Sequence, residues 1–333
     1  MFRQTPIRTG AGIALIAGLA LYAARGGYFD REIVIEIAIL AMLAISLDIV
    51  AGFGRMISLC HGAIFGLAAY GYGTVIVKFG LPPSAGLAVG LALAVAFGAL
   101  VGAICAGTLG IFYIMATLAF GQIAYVLIFE SRWLGGDDGM TGVARMDLSL
   151  IGLNMRDSLT FALVCLAVLV LVYIIAALVL RSSFGRTLSG IHANEARMRA
   201  VGINTRMHKT AAFAFSASLA GVAGVLKAQH TMFVSPELLF WTLSGEVLII
   251  VILGGIGTLI GPAIGATILV LLKHEVSHYT VYWHIVVGAV LILAVLAGGR
   301  GLFGEFEYRL ARWREKRRER KRERRRKEEA ADA

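Results

Sequence analysis

The sequence predicts an all-α polytopic membrane protein, and two observations carry this prediction. The 333 residues are 58% hydrophobic and only 16% charged, whereas an average soluble domain has about 25% charged residues. Several apolar segments reach about 18–25 residues, which is the length that an α-helix needs to cross a bilayer core of roughly 30 Å. The alternating segments of about ten residues that a transmembrane β-barrel requires are not visible.

The apolar segments predict eight full crossings and one broken pair of helices. The full crossings are assigned to 10–24, 33–51, 56–77, 84–107, 111–129, 159–180, 211–229 and 281–298, and the broken pair to 244–272. The segment 244–272 is too long for one simple span and contains GGIGTLIGP. Glycine and proline there favour two short helices around an interruption. The interruption is assigned to Gly254, Gly255, Gly257 and Gly261.

A faint internal echo suggests that the chain is built from two related halves. GFGRMISLCHGAIFG (52–66) and GIGTLIGPAIG (255–265) both read G-x-G, a short gap, and then G-x-x-x-G. The gaps differ by four residues, so chance similarity in a glycine-rich chain is an equal alternative. A true repeat would fit transporters in which broken helices lie near the membrane midplane.

Basic residues predict the orientation of the chain. The loop 181–210 carries six Lys and Arg against one acid, and such loops face the cytoplasm. Residues 308–333 hold 13 basic and six acidic residues, which supply +7 of the net charge of +10. We therefore expect a membrane domain over 1–299, a cytoplasmic tail over 300–333, cytoplasmic termini and a periplasmic loop at 131–157. The basic tail is interpreted as a contact for anionic lipid and not for nucleic acid.

Polar residues inside the apolar segments are candidates for a translocation path. Ionisable groups there are costly and usually face the bundle interior or an aqueous path. The candidates are Ser58, His61, Gln122 and Glu246. Structural hydrogen bonding is an equal alternative for His61 and Glu246, and it is the preferred interpretation of Glu36 and Asp48. These groups also support a second hypothesis, proton-coupled secondary transport.

Two sequence motifs bear on enzymatic activity. The chain contains no Gly-Lys dipeptide, so the P-loop motif is absent and any ATP must be hydrolysed on another subunit. HEVSH (274–278) fits the zinc motif H-E-x-x-H of a metalloprotease. It follows the end of an apolar span, and no Asp occurs from 158 through 331, so we interpret it as a hydrophilic turn at the outer surface. We expect no catalytic site, metal or cofactor bound by this chain.

The charged stretch HANEARMRAVGIN (192–204) lies between two long apolar segments and predicts a short helix. Asn194 is a good N-cap and Gly202 a good C′ residue, which brackets a helix over 195–201. Glu195 and Arg199 are favourably placed i, i+4 partners. Because a helix of two turns is unstable alone, another surface must hold it. That surface is either the membrane face or a pocket on a soluble partner.

Five long segments carry a family resemblance. They are SLDIVAGFGRMISLCHGAIFGLAAYG (46–71), GIFYIMATLAFGQIAYVL (110–127), GGDDGMTGV (135–143), SSFGRTLSGIHANEARMRAVGINTRMHKTAAFAFSASLAGVAGVL (182–226) and FVSPELLFWTLSGEVLIIVILGGIGTLIGPAIGA (233–266). With them the chain resembles the LivM-like family, the M-type permease subunits of bacterial branched-chain amino-acid ABC importers. The family usually reads S-L-G-H where this chain has Cys60 before His61, and the basic tail exceeds the usual end of the family.

The resemblance implies a permease domain in the bacterial inner membrane that works within a complex. A homologous permease would share the path, two cytoplasmic ATPase subunits would bind ATP and Mg, and a periplasmic binding protein would deliver the solute. The solute would be a branched-chain or hydrophobic amino acid, or a related small carboxylate or amide. The coupling helix would comprise Asn194, Glu195, Ala196, Arg197, Met198, Arg199, Ala200, Val201 and Gly202, with Glu195 meeting basic groups of the ATPase.

The resemblance also implies that the loop 131–157 contacts the binding protein. Its candidate residues are Asp137, Asp138, Arg145 and Arg156. For any one of these residues, a solvated loop position is an equal alternative.

Overall fold

The computed structural model describes residues 6–147 and 154–279, together with 285, 286, 288, 289, 292, 301, 304 and 305. In this part of the chain the helices are α1 (Pro6–Arg25), α2 (Tyr28–Gly52), α3 (His61–Val77), α4 (Pro83–Cys105), α5 (Ile111–Phe129), α6 (Ser158–Arg181), α7 (Ser183–Ala193), α8 (Glu195–Ala200), α9 (Thr205–Thr231), α10 (Trp241–Gly254) and α11 (Gly261–Tyr279). The strands β1 (Met140–Thr141) and β2 (Phe233–Val234) pair antiparallel. The predicted crossing 281–298 and the tail 300–333 lie, apart from single residues, outside the described residues.

The helices confirm the all-α class of membrane protein. Among the described residues, α2, α4, α5, α6 and α9 are long and apolar enough to cross a membrane. Helix α2 is apolar on every side and buried along almost its whole length, as expected for the central helix of a bundle. It packs against α6, α9 and α11.

Side chains fix several helix starts. Asp157 caps α6 by accepting a hydrogen bond from the backbone N of Thr160 at 2.9 Å, and this bond lowers the pKa of the Asp157 carboxyl. Asn204 caps α9 by accepting from the backbone N of Met207 at 3.1 Å. Both residues satisfy donors that the first turn of a helix leaves open.

The predicted crossing at 56–77 is only partly helical, because α3 begins at His61. The chain turns sharply after α2, where Arg55 has φ +57° and the backbone N of Met56 bonds to the carbonyl of Val50. The following residues are apolar but not helical. Their backbone donors reach side chains instead, since Leu59 N bonds to Thr117 Oγ1 at 3.2 Å. Hydropathy alone does not separate such an extended apolar segment from a helix.

The predicted interruption near 255–260 is confirmed. Helix α10 ends at Gly254 and α11 begins at Gly261. Gly255 and Gly257 have φ of +116° and +76°, a region in which glycine carries no steric penalty. The described part of α11 has 19 residues, so α10, with 14, is the only half-length helix of this pair in the described chain.

Helices α3 and α10 both begin near the middle of the bundle. His61 at the start of α3 bonds to Ser216, which lies about 16 Å along α9 at 1.5 Å per residue. The backbone N of Gly62 donates to Ser244 Oγ in the first turn of α10 at 2.8 Å. Two interrupted crossings therefore start their helices side by side.

From this meeting point the two helices run to opposite ends of the bundle. Helix α3 leads to the end that carries β1 and β2, where Tyr72 Oη donates to the carbonyl of Ala144 at 2.8 Å. We name this the strand end. Helix α10 leads to the other end, which carries α7, α8 and the turn after α2, and which we name the α8 end.

The corresponding parts are thus α2–α3 and α9–α10. Each is a long helix, a segment without α-helix and a shorter helix of 17 or 14 residues, and the two parts run in opposite directions. The sequence echo pairs different segments, 52–66 with 255–265. In the structure Gly52 and Gly257 pack against each other, and a Cβ on Gly52 would lie 2.5 Å from the Gly257 nitrogen. The echo therefore does not identify the structural repeat.

Candidate functional site

Helix α8 has the predicted caps. The Oδ1 atom of Asn194 accepts from the backbone N of Arg197 at 2.9 Å, and Gly202 follows the helix with φ +87°. The helix ends at Ala200, within one residue of the prediction. Its Met198 side chain turns inward against Gly190 of α7. The two ends and one face of this short helix are thus fixed by the chain itself.

Glu195 is engaged inside the chain, which corrects the expectation that it meets basic groups of an ATPase. Its Oε2 lies 2.5 Å from Lys209 Nζ and its Oε1 3.0 Å from Thr205 Oγ1, both in α9. Lys209 is almost fully buried and also reaches the carbonyl of Ala106 at 3.4 Å. Partial burial opposes ionisation, but the Lys209, Thr205 and Arg199 contacts hold the pKa of Glu195 below its ordinary value.

The exposed face of this region is apolar and basic. Val201 and Met207 are 74% and 70% exposed. Ala196, Arg197 and Ala200 are exposed beside them. Helix α8 therefore presents small apolar groups and Arg197 outward, while Glu195 and Met198 anchor it inward.

Ser58 and His61 lie in a buried network that spans three helices. Ser216 Oγ donates to the carbonyl of Ser46 at 2.5 Å and therefore accepts from His61 Nε2 at 2.9 Å. His61 Nδ1 is then the acceptor for Ser58 Oγ at 3.2 Å, and Cys60 N donates to the same hydroxyl. All polar atoms of this neutral imidazole are satisfied. This geometry supports the structural interpretation, because both side chains are fully buried and bonded within the network.

This network predicts a stability effect. Ser216→Ala removes the acceptor of His61 Nε2, and we expect the free energy of unfolding to fall by about 1–3 kcal/mol, the cost of an unsatisfied buried donor. Ser218→Ala in the same helix is the matched control, since its hydroxyl bonds only to the carbonyl of Phe215. Thermal unfolding of the detergent-solubilised chain measures both variants. Equal shifts for the two variants would contradict the network.

Gln122 and Glu246, the other two path candidates, have different surroundings. Gln122 Oε1 on α5 is buried and has no hydrogen-bond partner among the described residues, a rare condition that marks candidate functional groups. Glu246 on α10 lies on the wall of a cavity of about 910 Å³, which we name the α10 cavity. The structure thus separates the four candidates, and only Glu246 faces this space.

The α10 cavity contains charged residues that the sequence analysis did not connect. They are Glu36 of α2, Lys227 of α9, Glu237, Glu246 of α10 and Lys273 of α11. Lys227 stands alone among apolar residues of α9, so a search for any charge would have found it.

The turn between α10 and α11 is fixed by close glycine packing and by Asp48. A Cβ on Gly254 would overlap the carbonyl of Gly261. Asp48 Oδ1 accepts from Gly257 N at 2.6 Å and its Oδ2 from Leu259 N at 3.0 Å, and the side chain is fully buried. This agrees with the structural interpretation of Asp48.

One residue of the loop at the strand end, Arg145, makes its contacts within the fold. Arg145 donates to the carbonyls of Met155, Gln229 and His230, and its guanidinium lies 4.6 Å from the ring centre of Phe161. It closes the last turn of α9, as a cation at a helix C-terminus does. The expectation that Arg145 is available to a binding protein is therefore wrong.

The other three residues of that loop, Asp137, Asp138 and Arg156, are exposed. Strand pairing of Met140 with Val234 joins the loop to the extended segment that leads into α10. A protein bound to this loop would therefore act on a segment continuous with the α10 cavity.

The motif HEVSH lies in the last turns of α11, which corrects its interpretation as a turn. The His278 side chain is outside the described residues. Within the part of the chain that the structure describes, no three His, Cys, Asp or Glu side chains are grouped to hold a metal ion. The zinc hypothesis therefore gains no third ligand.

The fold and these sites define a polytopic α-helical membrane protein with two inverted, interrupted crossings and a capped surface helix at one end. The chain belongs to the family described as branched-chain amino acid transport system / permease component, whose family model matches residues 31–295. This match covers most of the chain and includes both interrupted crossings, α8 and the α10 cavity.

Individual relatives include both permease types of one transport system. The chain is 28% identical over 299 residues to the high-affinity branched-chain amino acid transport system permease protein LivM of Escherichia coli K12, covering 80% of this chain and 69% of the relative. It is 25% identical over 295 residues to LivH of Salmonella typhimurium, covering 80% and 92%. It is also 28% identical over 319 residues to the autoinducer 2 import system permease protein LsrC of Yersinia enterocolitica, covering 86% and 81%. No solved structure matches the chain.

Proposed function

We propose that this chain is one of two homologous permease subunits of an ATP-driven importer for branched-chain amino acids. The observation that carries the proposal is the anchoring of α8 by Glu195 to the buried Lys209 of α9. A capped helix with a rigid internal attachment transmits a displacement instead of absorbing it. Two separate ATPase subunits, which bind ATP and Mg, would contact its exposed face at Arg197 and Val201. Their movement would reach α9 and the α4–α5 turn directly.

The α10 cavity supports the presence of a second permease. Charged groups such as Glu36, Glu246 and Lys273 are costly against hydrocarbon, so another protein surface must cover the open side of this cavity. In Escherichia coli K12, LivM and LivH are both similar to this chain. A homologous partner is therefore a natural second half of the path.

The same proposal assigns the two ends of the molecule. The α8 end faces the cytoplasm, because its loop 181–210 is strongly basic, and the strand end faces the periplasm. A substrate-binding protein would dock on the exposed Asp137 and Asp138. The membrane is then the bacterial inner membrane, and the alternating access of the path follows from rocking of the helices around the two interrupted crossings.

The experiment is reconstitution of the chain into liposomes with its second permease, ATPases and binding protein. Uptake of leucine is expected to require ATP inside, the binding protein outside and all subunits. The chain alone is expected to show no transport, no ATP hydrolysis and no zinc-dependent proteolysis. Leucine uptake by the chain alone under a pH gradient would instead support proton-coupled transport and contradict the proposal.

A further inference from the structure

The α10 cavity has the size of a small-molecule site. Its volume of about 910 Å³ lies within the range of roughly 300–1,000 Å³ that is usual for ligand pockets. It surrounds the start of α10, where an interrupted crossing begins near the middle of the bundle. Solute sites in transporters with discontinuous helices occur at this depth.

One side of the cavity carries an excess negative charge. Lys273 Nζ lies 4.0 Å from Glu36 Oε1 and 3.8 Å from Glu246 Oε1. Both distances exceed the usual range of about 2.7–3.2 Å for a hydrogen bond, so Lys273 makes no direct hydrogen bond to either carboxylate. One cation between two anions leaves a local charge of −1. A primary ammonium, with three donors, fits between such acceptors.

The cavity wall also carries Lys227, together with the exposed Glu237. Lys227 is half-buried, and among the described residues no carboxylate lies within 4.0 Å of its Nζ. The start of α10 lies on the same wall without a side-chain cap and without an acid in its first turn, so its open backbone donors add positive potential. Lys227 lies one turn before the end of α9, and a ligand carboxylate in the cavity would supply its counter-charge.

Aromatic and aliphatic side chains complete the wall. Phe65, Phe240, Trp241 and Ile249 line the cavity together with the charged residues. A ligand with an apolar side chain would bury that chain against them, at about 0.8 kcal/mol per CH₂ group removed from water.

We propose that the α10 cavity is a binding site for the zwitterion of an aliphatic α-amino acid on its way through the importer. Glu36 and Glu246 accept hydrogen bonds from the ammonium group, Lys227 donates to the carboxylate, and Phe65, Phe240 and Trp241 contact the side chain. This inference rests on the proposed function and narrows it, because an uncharged amide would leave Lys227 without a counter-charge and a simple carboxylate would leave the excess negative charge of Glu36 and Glu246 without a second cation.

The test uses the complete importer in liposomes, with leucine as the probe. Lys227→Met and Glu246→Gln are each expected to lower the maximal rate of leucine import roughly ten- to hundredfold, as expected for the loss of a hydrogen bond to a charged group. Lys227→Arg should stay within about threefold of the wild type, because it keeps the cation. The concentration of loaded binding protein that gives half-maximal import should not change, since docking occurs at the strand end.

Lys78→Met and Glu130→Gln are matched controls, because both residues are exposed and neither lines the cavity. If the wild type imports leucine while K227M and E246Q match these controls, the inference fails and the proposed function stands. If the wild type imports no branched-chain amino acid, the proposed function fails and the inference fails with it.

A second measurement leaves the charged residues intact. Thr242→Cys places a thiol on the exposed part of the cavity wall, whereas the native Cys60, Cys105 and Cys165 are buried. In the complete importer, leucine with the binding protein is expected to slow modification of this thiol by a charged reagent at least about fivefold, as partial occupancy requires. An unchanged rate while leucine is being imported would contradict a site here.

Discussion

In the complete importer, Glu195→Arg is expected to lower leucine-stimulated ATP hydrolysis and leucine import at least about 100-fold, with membrane insertion preserved. The substitution places a cation beside Lys209 and Arg199 and leaves the buried Lys209 without its carboxylate. Removing one partner of a buried ion pair costs about 3–5 kcal/mol, and about 3 kcal/mol corresponds to a factor above 100 in an equilibrium. Helix α8 then loses its fixed position on α9.

Two further variants separate coupling from a general charge effect. Glu130→Arg reverses an exposed charge at the far end of α5 and should leave ATP hydrolysis within about twofold of the wild type. Glu195→Gln and Lys209→Met should each impair coupling, and their combination should cost less than the sum of the two, because they remove one shared contact. Additive losses in this cycle, or normal coupling in E195R, would contradict the anchoring of α8 through Lys209.

Gly254→Ala is expected to lower the free energy of unfolding by at least about 2 kcal/mol. A Cβ at this position would overlap the carbonyl of Gly261 and lie 2.9 Å from the Pro262 nitrogen, so the backbone on one side of the turn must move. Insertion of even one methyl into a packed site costs about 1–3 kcal/mol, and backbone atoms yield less readily than side chains.

Gly245→Ala provides the control in the same helix, since a Cβ there meets nothing within 4 Å. Its unfolding free energy should change by less than about 1 kcal/mol, because helix propensity is then the main effect. Thermal unfolding in detergent compares the two variants. A Gly254→Ala chain as stable as Gly245→Ala would show that the glycine contact between α10 and α11 is not required.

The sequence predicts much of this architecture because bilayer length and apolar composition leave few alternatives for a helix. It also predicts α8 closely, since the side chain of Asn194 and the glycine at 202 act within a few residues. The same reasoning fails at α3, where Ile57, Leu59 and Cys60 are apolar but not helical. The backbone N of Leu59 donates to Thr117 on α5, and such a long-range bond has no signature in hydropathy.

At the candidate sites too, neighbouring residues predict some features, whereas contacts between helices distant in sequence determine the others. The role of Glu195 depends on Lys209, fourteen residues later and one helix away. Glu246 was a path candidate from its position alone, but its neighbours Glu36 and Lys273 come from helices far apart in the chain. Composition identifies charged groups within a membrane segment, whereas only the packing of α2, α9, α10 and α11 tells which of them share a cavity.

The anchored α8 and the loop at the strand end fit one account of transport. A binding protein at Asp137 and Asp138 would act through β1 and β2 on the segment that leads into α10. ATPase movement would act from the other end through α8 on α9. The start of α3 bonds to Ser216 of α9, and it also bonds to the first turn of α10. Movement of the binding protein and movement of the ATPase would therefore both reach the two interrupted crossings.

The central claim, that α8 docks on a separate ATPase, is tested most directly by site-specific photo-crosslinking in the complete importer. A photoreactive residue replaces Val201 in one sample and Phe79, which is 62% exposed at the strand end, in the other. We predict a covalent product between position 201 and the ATPase, and none between position 79 and the ATPase. Absence of the product at position 201, in an importer that still carries leucine, would contradict the account.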